Sequence, residues 1–439
     1  MRIGKTIICI ALLAALGGAW FNVINSLTTD NTQYNNYIAK ADKSFSQGLY
    51  IQAVEEYKFA IAIKPSLELW QKVSEAYSTD YSLRRNSSII PEYIKDMQVA
   101  ASTIPKERSF WITLINLQKD NNRYADANKT AMQAIKTLGA DDELQEIVNE
   151  LRYKTELGYK VGADVAIPQT GYLTVKGSTS YAVINSRGET VRGDFEYIGP
   201  INKNGSGVYK TDRGFRLIDN NGVERAVFPD GVCLAGMYST SDELVPLKVA
   251  DKWHYFDLNG SAIGGSYDSA SSFVNGLAAV SLQGRWLIID AEGNTTKELT
   301  FNDLRFGSDG GFIQNGIIVA EVEGKWGLYD AEYEKIGAFT ADNIDIYCGD
   351  AIAFKSGGKW GFVDPKGSVV IEPIYREAKS FSQGLAAIMS DDGLWGFINS
   401  DGKLVIPARY QDTKYFMDSG SCFVMTSDDC WQELRLVIR

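Results

Sequence analysis

From Ile7 to Ile24 the chain is apolar except for Asn22, with Arg2 and Lys5 ahead of it and no acid before Asp30. A helix of about 18 residues at 1.5 Å per residue nearly crosses a ~30 Å hydrocarbon core. Trp20 and Phe21 stand where interfacial aromatics anchor such a helix. Positive charge on the N-terminal flank alone predicts a cytoplasmic N-terminus and an extracytoplasmic remainder. Residues 1–28 therefore predict a signal anchor, a single-pass transmembrane helix. Small residues at Gly17-Gly18-Ala19 support the alternative, a cleaved signal peptide and a secreted chain.

Over 31–158 the apolar positions recur at i, i+3, i+4 and i+7, the spacing of amphipathic helices. Tyr37, Ala41, Gly48, Tyr50, Ala53, Tyr57, Ala60 and Pro65 describe two helices. Small residues let them approach, Gly48 turns between them and Pro65 stops the second. Trp111, Leu114, Tyr124, Ala127, Ala131 and Ala134 repeat these offsets, with Gly139 in place of the closing proline. Trp70, Tyr77, Ala100 and Pro105 suggest a third, degraded copy with an insertion around 82–90, and 141–157 reads as a capping helix. The offsets resemble the tetratricopeptide repeat. That resemblance implies a groove for peptides or partner helices.

From 162 to 439 the pattern changes to short strands that repeat. Each unit reads aromatic, variable, two apolar, Asp or Asn, two variable, Gly. Tyr181, Phe215, Trp253, Trp286, Trp326, Trp360 and Trp395 open seven copies, and Trp431 begins an eighth that loses the pattern. The steps are 34, 38, 33, 40, 34, 35 and 36 residues. An apolar strand precedes each aromatic across a polar turn such as Gly357-Gly358. The aromatic starts a second strand that ends at Asp or Asn, whose side chain can bond the backbone two residues on. Glycine three positions later, as in Asp364 to Gly367 or Asn399 to Gly402, accepts positive φ in a type I turn with a G1 bulge. After Asp330, Tyr333 replaces that glycine. A third strand follows, so each unit is a three-stranded meander with room for a short fourth strand. One meander cannot bury both faces, so neighbours must stack. The large ring is expected to fill the seam, and Gly327, Gly361 and Gly396 are expected to admit a close backbone.

Lys325-Trp326-Gly327, Lys359-Trp360-Gly361 and Leu394-Trp395-Gly396, with their downstream Asp-x-x-Gly and Ile371-to-Tyr375 elements, resemble the WG (KWG) repeat family. Trp253 and Trp286 lack the following glycine. The resemblance implies an all-β repeat module of bacterial type with no established chemistry. The expected fold is multidomain α + β. It has an N-terminal transmembrane helix, tetratricopeptide-like helices, and a β domain of seven to eight units. That domain would form a closed β-propeller or, alternatively, an open β superhelix.

Charge and chemistry narrow the function. Net charge is −11, and the segment from Lys160 onward carries all of that excess. This excludes broad nucleic-acid binding and favours basic partners. A single His254 on a predicted strand reads as a repeat position. One carboxylate per turn is too few for a Ca²⁺ site. Glu372 and Asp345 are acids outside the pattern, with nothing to mark them as catalytic. Cys422 and Cys430 flank a turn and could be bridged outside the cytoplasm, although two free thiols is the favoured expectation. The expectation is a non-catalytic, membrane-anchored scaffold that binds proteins or peptides, without cofactor or metal. The alternative is a cell-surface module that binds or acts on cell-wall glycan.

Overall fold

The computed structural model describes residues 31–161, 164–165, 172–177, 180–185, 187–202, 204–426 and 430–438. The predicted anchor at 1–28 lies outside the described residues. Among the described residues no helix is long and apolar enough to cross a membrane. The chain divides into a helical unit ending at Arg152 and a β unit spanning Tyr153–Val437.

Seven helices make up the described part of the first unit. The first occupies 31–46, followed by Tyr50–Ile63, Leu67–Arg84, Ile90–Thr103, Arg108–Asp120, Tyr124–Leu138 and Asp142–Arg152. Short connections make successive helices antiparallel neighbours. The alanines at the expected contacts, Ala41, Ala53, Ala60, Ala127, Ala131 and Ala134, are all fully buried. Gly48 turns with φ of 76°, and Ser66 caps the third helix by accepting from the Leu69 N–H. Trp111 is buried and donates its indole N–H to the Pro105 carbonyl at 2.9 Å. The insertion near 82–90 is a left-handed Arg85 followed by a single 3₁₀ turn, Ser87–Ile89. These are three helical hairpins and a terminal helix.

The terminal helix ends at Arg152, short of the expected 157, and Thr155–Val161 is a strand. Its partner is Trp431–Leu436, in a register from Thr155 opposite Leu436 to Val161 opposite Trp431. The boundary expected at 158–162 therefore moves back to Tyr153. No local signal marks this strand, because the backbone groups it pairs with lie nearly the whole β unit away in sequence.

Among the described residues the β unit contains eight antiparallel sheets. Blades one to eight cover 164–195, 197–227, 232–267, 269–299, 303–341, 343–375, 378–410 and 412–436. Blade six shows the plan: Asn343–Ile344, Ile352–Ser356, Lys359–Val363 and Val369–Tyr375, each paired to the next. Most blades have four strands. In blade five the fourth is reduced to the bridges Trp326–Ala341 and Tyr329–Lys335, and in blade seven the first is reduced to Ala378–Ile388. Blade eight takes three strands from the C-terminal end and its fourth from Thr155–Val161.

Eight apolar clusters fill the seams, and each draws on two successive blades. Val183 with Ile198 and Tyr209 joins blades one and two. Trp360 and Phe362 with Phe381 and Ile388 join six and seven. Phe423 and Trp431 with Val175 and Ile184 join eight and one. The last seam and the shared eighth sheet make the array a closed eight-bladed propeller, and the open superhelix is excluded. Stacking removes every internal sheet face from water, and closure leaves no terminal blade with an uncovered seam.

The expected turn chemistry forms. At Asp364 the carboxylate accepts from the N–H groups of Lys366 (2.9 Å) and Ser368 (2.8 Å), and Gly367 has φ of 83°. The ladder slips one residue at Val363, which is the bulge. Asp330 binds Glu332 and Glu334 in the same way, while Tyr333 takes the glycine's place at φ of 70° with the Lys297 ammonium 4.1 Å from its ring.

These turns have a titration consequence. The carboxyls of Asp219, Asp257 and Asp290 are held below the ordinary 3.8, foremost by the N–H groups of Val223, Ser261 and Asn294. A depressed folded pKa stabilises above the unfolded value and is lost as pH falls through the folded one. The urea midpoint of the β unit's transition is therefore expected to fall as pH drops from about 5 to about 3. The Asp219→Asn/Asp257→Asn/Asp290→Asn variant should show a shallower fall. Asn keeps the turn, as Asn185 and Asn399 already do, but cannot titrate. An unchanged slope would refute the assignment.

Candidate functional site

The residues that carry the repeat are mostly committed to structure. Trp286, Trp326, Trp360 and Trp395 are buried in the seams after blades four to seven. Trp253 is half-buried beside the seam of blades three and four. Gly361 and Gly396 face their own blade's fourth strand. A Cβ on Gly361 would lie 2.6 Å from the Ile371 carbonyl oxygen, and one on Gly396 would lie 2.6 Å from the Ala408 nitrogen. Gly327 differs from expectation: its nearest contacts would be at 3.4 Å, because blade five lacks a full fourth strand there.

Both Cys422 and Cys430 are free. Cys422 is fully buried opposite Leu434, while Cys430 lies beyond Trp431, the partner of Met425. The hairpin register separates the two sulfurs by about four residue steps, roughly 13 Å at 3.3 Å per step, so the possible bridge does not form. His254 pairs with Leu247 on a strand, its ring 6.3 Å from that of Phe256. Glu372 lies on the fourth strand of blade six, and Asp364 is taken up by its turn. Among the described residues no group of three or more His, Cys, Asp or Glu could hold a metal.

The open chemistry is at the hub. The first-strand ends of blades two to four and the loops after the first strands of blades two to five wall a cavity of ≈ 550 Å³, with Thr174 of blade one at its edge. Its apolar lining includes Ile198, Ile201, Met237, Trp253, Ala270 and Phe306. Thr174, Ser269, Ser272 and Ser308 bring hydroxyls to the wall. The Ser272 hydroxyl donates to the Met237 carbonyl and its N–H to Gly310, tying three blades together.

The other half of the hub is polar. The Tyr415 hydroxyl donates to the Asp345 carboxylate, at 2.8 and 2.7 Å from its two oxygens, and the Ser380 N–H donates to it at 2.8 Å. Tyr415 belongs to blade eight and Asp345 to blade six, so this clasp skips a blade. Burial, then the Asp345 charge, pushes the Tyr415 hydroxyl far above its usual range. Cys348 is pushed up by the same desolvation. Arg305 donates to Asn343 at 2.9 Å and lies 4.6 Å from the Trp326 ring centroid. Sequence reasoning named Asp345 without a partner and missed Tyr415 and Arg305. Their signal was a shared strand position, hidden by first-to-second-strand loops of unequal length.

A second, polar cavity of ≈ 480 Å³ on blades two and three is lined by Asn204, Asp219, Asn221, Arg225, Tyr238 and Glu243 among others. The Asp219 carboxylate is already engaged by the N–H groups of Asn221 and Val223 and by Arg225. Tyr238 is raised by burial first and then by Glu243, against the opposing pull of Arg225.

Comparison with known proteins agrees with the repeat. The model of the WG containing repeat matches residues 263–286, 360–393 and 395–427. Among solved structures, Kluyveromyces lactis Hsv2p is 11% identical, with 56% of this chain and 96% of that chain covered and a TM-score of 0.38. A eukaryotic initiation factor is 11% identical, covering 64% of this chain and 87% of that one, with a TM-score of 0.42. The Myceliophteria thermophila Cps50 (Swd1) β-propeller domain is 9% identical, covering 64% and 99%, with a TM-score of 0.36. No curated protein matches the chain.

Proposed function

We propose that this WG-repeat protein is a non-catalytic interaction scaffold, tethered to a membrane by its N-terminal apolar run with both units outside the cytoplasm. One observation carries the scaffold reading. The residues that the repeat supplies again and again are spent inside the ring, indoles in seams and aspartates on turn N–H groups. The repeat thus builds a rigid platform, and what varies from blade to blade is the hub and the outer surface. The acidic β segment favours partners with basic surfaces over nucleic acid or anionic lipid. The helical hairpins, resembling tetratricopeptide repeats, offer a second place for a peptide or helix.

The tether is tested by carbonate extraction and protease accessibility of the full-length protein. Release into the carbonate supernatant, or protection of both units in intact cells, would remove it. The scaffold is tested by in-cell crosslinking and affinity capture, run beside binding to insoluble cell-wall glycans. Specific protein adducts that disappear when the ring is opened are expected. Retention on glycan without protein adducts would favour the second reading, for which the polar cavity beside Tyr238 and Glu243 is the observation. A glycan-cleaving role would need a second free acid there, and Asp219 is already bound.

A further inference from the structure

The hub is divided in two by one structurally equivalent position. In blades two to eight, take the second-strand residue two places before the one opposite the repeat aromatic, and then its partner on the first strand. This gives Gly199 on Val208, Gly236 on Pro246 and Ser271 on Ala279 in blades two to four. In blades five to eight it gives Arg305 on Val319, Asp345 on Ala353, Lys379 on Ala387 and Lys414 on Phe423. The same place in the ladder holds no side chain or a small one on one side of the ring and a charged one on the other.

The three cations among them cover aromatic faces, while Asp345 accepts from Tyr415 and Ser380. Arg305 lies 4.6 Å from the Trp326 centroid, Lys379 4.9 Å from that of Trp395, and Lys414 4.5 Å from that of Trp431. Gly236 has nothing to lay over Trp253, and the indole of blade three lines the ≈ 550 Å³ cavity instead. Phe306 enters the same cavity, edge-on to Trp286 at 5.9 Å. Among the described residues no ionisable side chain lines it. A charged ligand would lose its hydration without gaining a charge partner, and a few neutral hydroxyls do not offset that cost. The walls are the ends of first strands and the loops that leave them, held by backbone bonds such as Gly199 N–H to Val208, Gly236 N–H to Pro246, Ser272 N–H to Gly310 and Gly307 N–H to Gly311, and the size of the space lies in the usual range for small-molecule sites.

We infer that the Trp253 side of the hub is a binding site for a neutral, largely apolar small molecule bearing a ring, oriented by the Trp253 and Phe306 faces and the hydroxyls of Ser269 and Ser308. This stands apart from the scaffold reading, since it concerns a cavity within one ring and needs no protein partner.

The test is a titration of the full-length, detergent-solubilised protein with neutral phenylnaphthylamine, reading the probe's own emission above the linear micelle background. A saturable component of one probe per chain is expected. Trp253→Ala and Ser269→Phe should each weaken it by about tenfold or more, the first by removing a stacking face and the second by filling space. Val370→Ser, on the exposed outer strand of blade six, should leave it unchanged. The anionic probe anilinonaphthalene sulfonate should bind about tenfold more weakly or worse. If Trp253→Ala does not fold, Ser269→Phe and Trp253→Phe carry the test. The inference is overturned if the parent shows no saturable component, if the cavity variants that fold bind like the parent, or if the sulfonate binds equally well.

Discussion

A chain ending at Cys430 is expected to lose the cooperative thermal transition of its β unit and to expose apolar surface. The missing segment includes Trp431–Leu436, which is the third strand of the eighth blade and the only described partner of Thr155–Val161. Trp431 is 3% exposed and sits in the seam between blades eight and one, and Leu434 is fully buried in the seam between seven and eight. Emptying a buried tryptophan or leucine site costs about 2–5 kcal/mol each. Domains are stable by only about 5–15 kcal/mol. Two such losses, together with an unpaired strand, take most of that margin. The graded version is Trp431→Ala, expected to cost about 4 kcal/mol in urea unfolding. Trp253→Ala should cost less, because that ring is only half-buried. Melting followed by circular dichroism checks the truncation. A truncated chain that melts within a few degrees of the parent would mean that closure contributes little, and the ring would behave as an open array.

Gly361→Ala and Gly396→Ala are each expected to destabilise by about 3 kcal/mol, while Gly327→Ala should change stability by less than about 0.5 kcal/mol. All three occupy the same place after a repeat tryptophan. At Gly361 the added methyl would meet Ile371, Glu372 and Pro373 backbone atoms at 2.6–2.8 Å, and at Gly396 those of Ile406 and Ala408 at 2.6–2.8 Å. Backbone cannot swing aside as a side-chain tip can, so the fourth strand must shift or its bulge must be undone. At Gly327 the closest atoms belong to the Lys335 and Tyr329 side chains at 3.4 Å, an ordinary van der Waals distance. For a unit of this size about 3 kcal/mol corresponds to a melting shift of roughly 6–12 °C. Equal effects at all three positions would show that the glycines serve the turn or the seam and not the close approach of the fourth strand.

Much of this architecture is legible in the sequence because its causes are local or periodic. The Asp-x-x-Gly turns form where the pattern puts them, since the carboxylate and the N–H groups it binds are at most four residues apart. The seams follow from rings recurring at a near-constant step. The helical hairpins follow from alanines at contact spacing and from Gly48 and Pro65. The loss of pattern after Trp431 was visible too, and its reason is now plain: that blade needs no fourth strand of its own, because Thr155–Val161 supplies it.

The sites were much less legible. Arg305 precedes Trp326 by 21 positions, whereas Asp345 precedes Trp360 by 15. No fixed offset from the repeat tryptophan reveals that the two are equivalent. Only the ladder aligns Gly199, Gly236 and Ser271 with Arg305, Asp345, Lys379 and Lys414, and only the ring brings Asp345 to Tyr415, 70 positions away.

The sequence by itself thus determined the unit: its three main strands, its turns, the ring it buries and a count of seven to eight copies. Tertiary structure alone decided that the copies close, which strand closes them, and which half of the hub stays open. The division has one physical cause. Turns and amphipathic periods are set by interactions a few residues long, whereas closure and the hub depend on groups joined across the whole circumference, whose sequence separation carries no local mark.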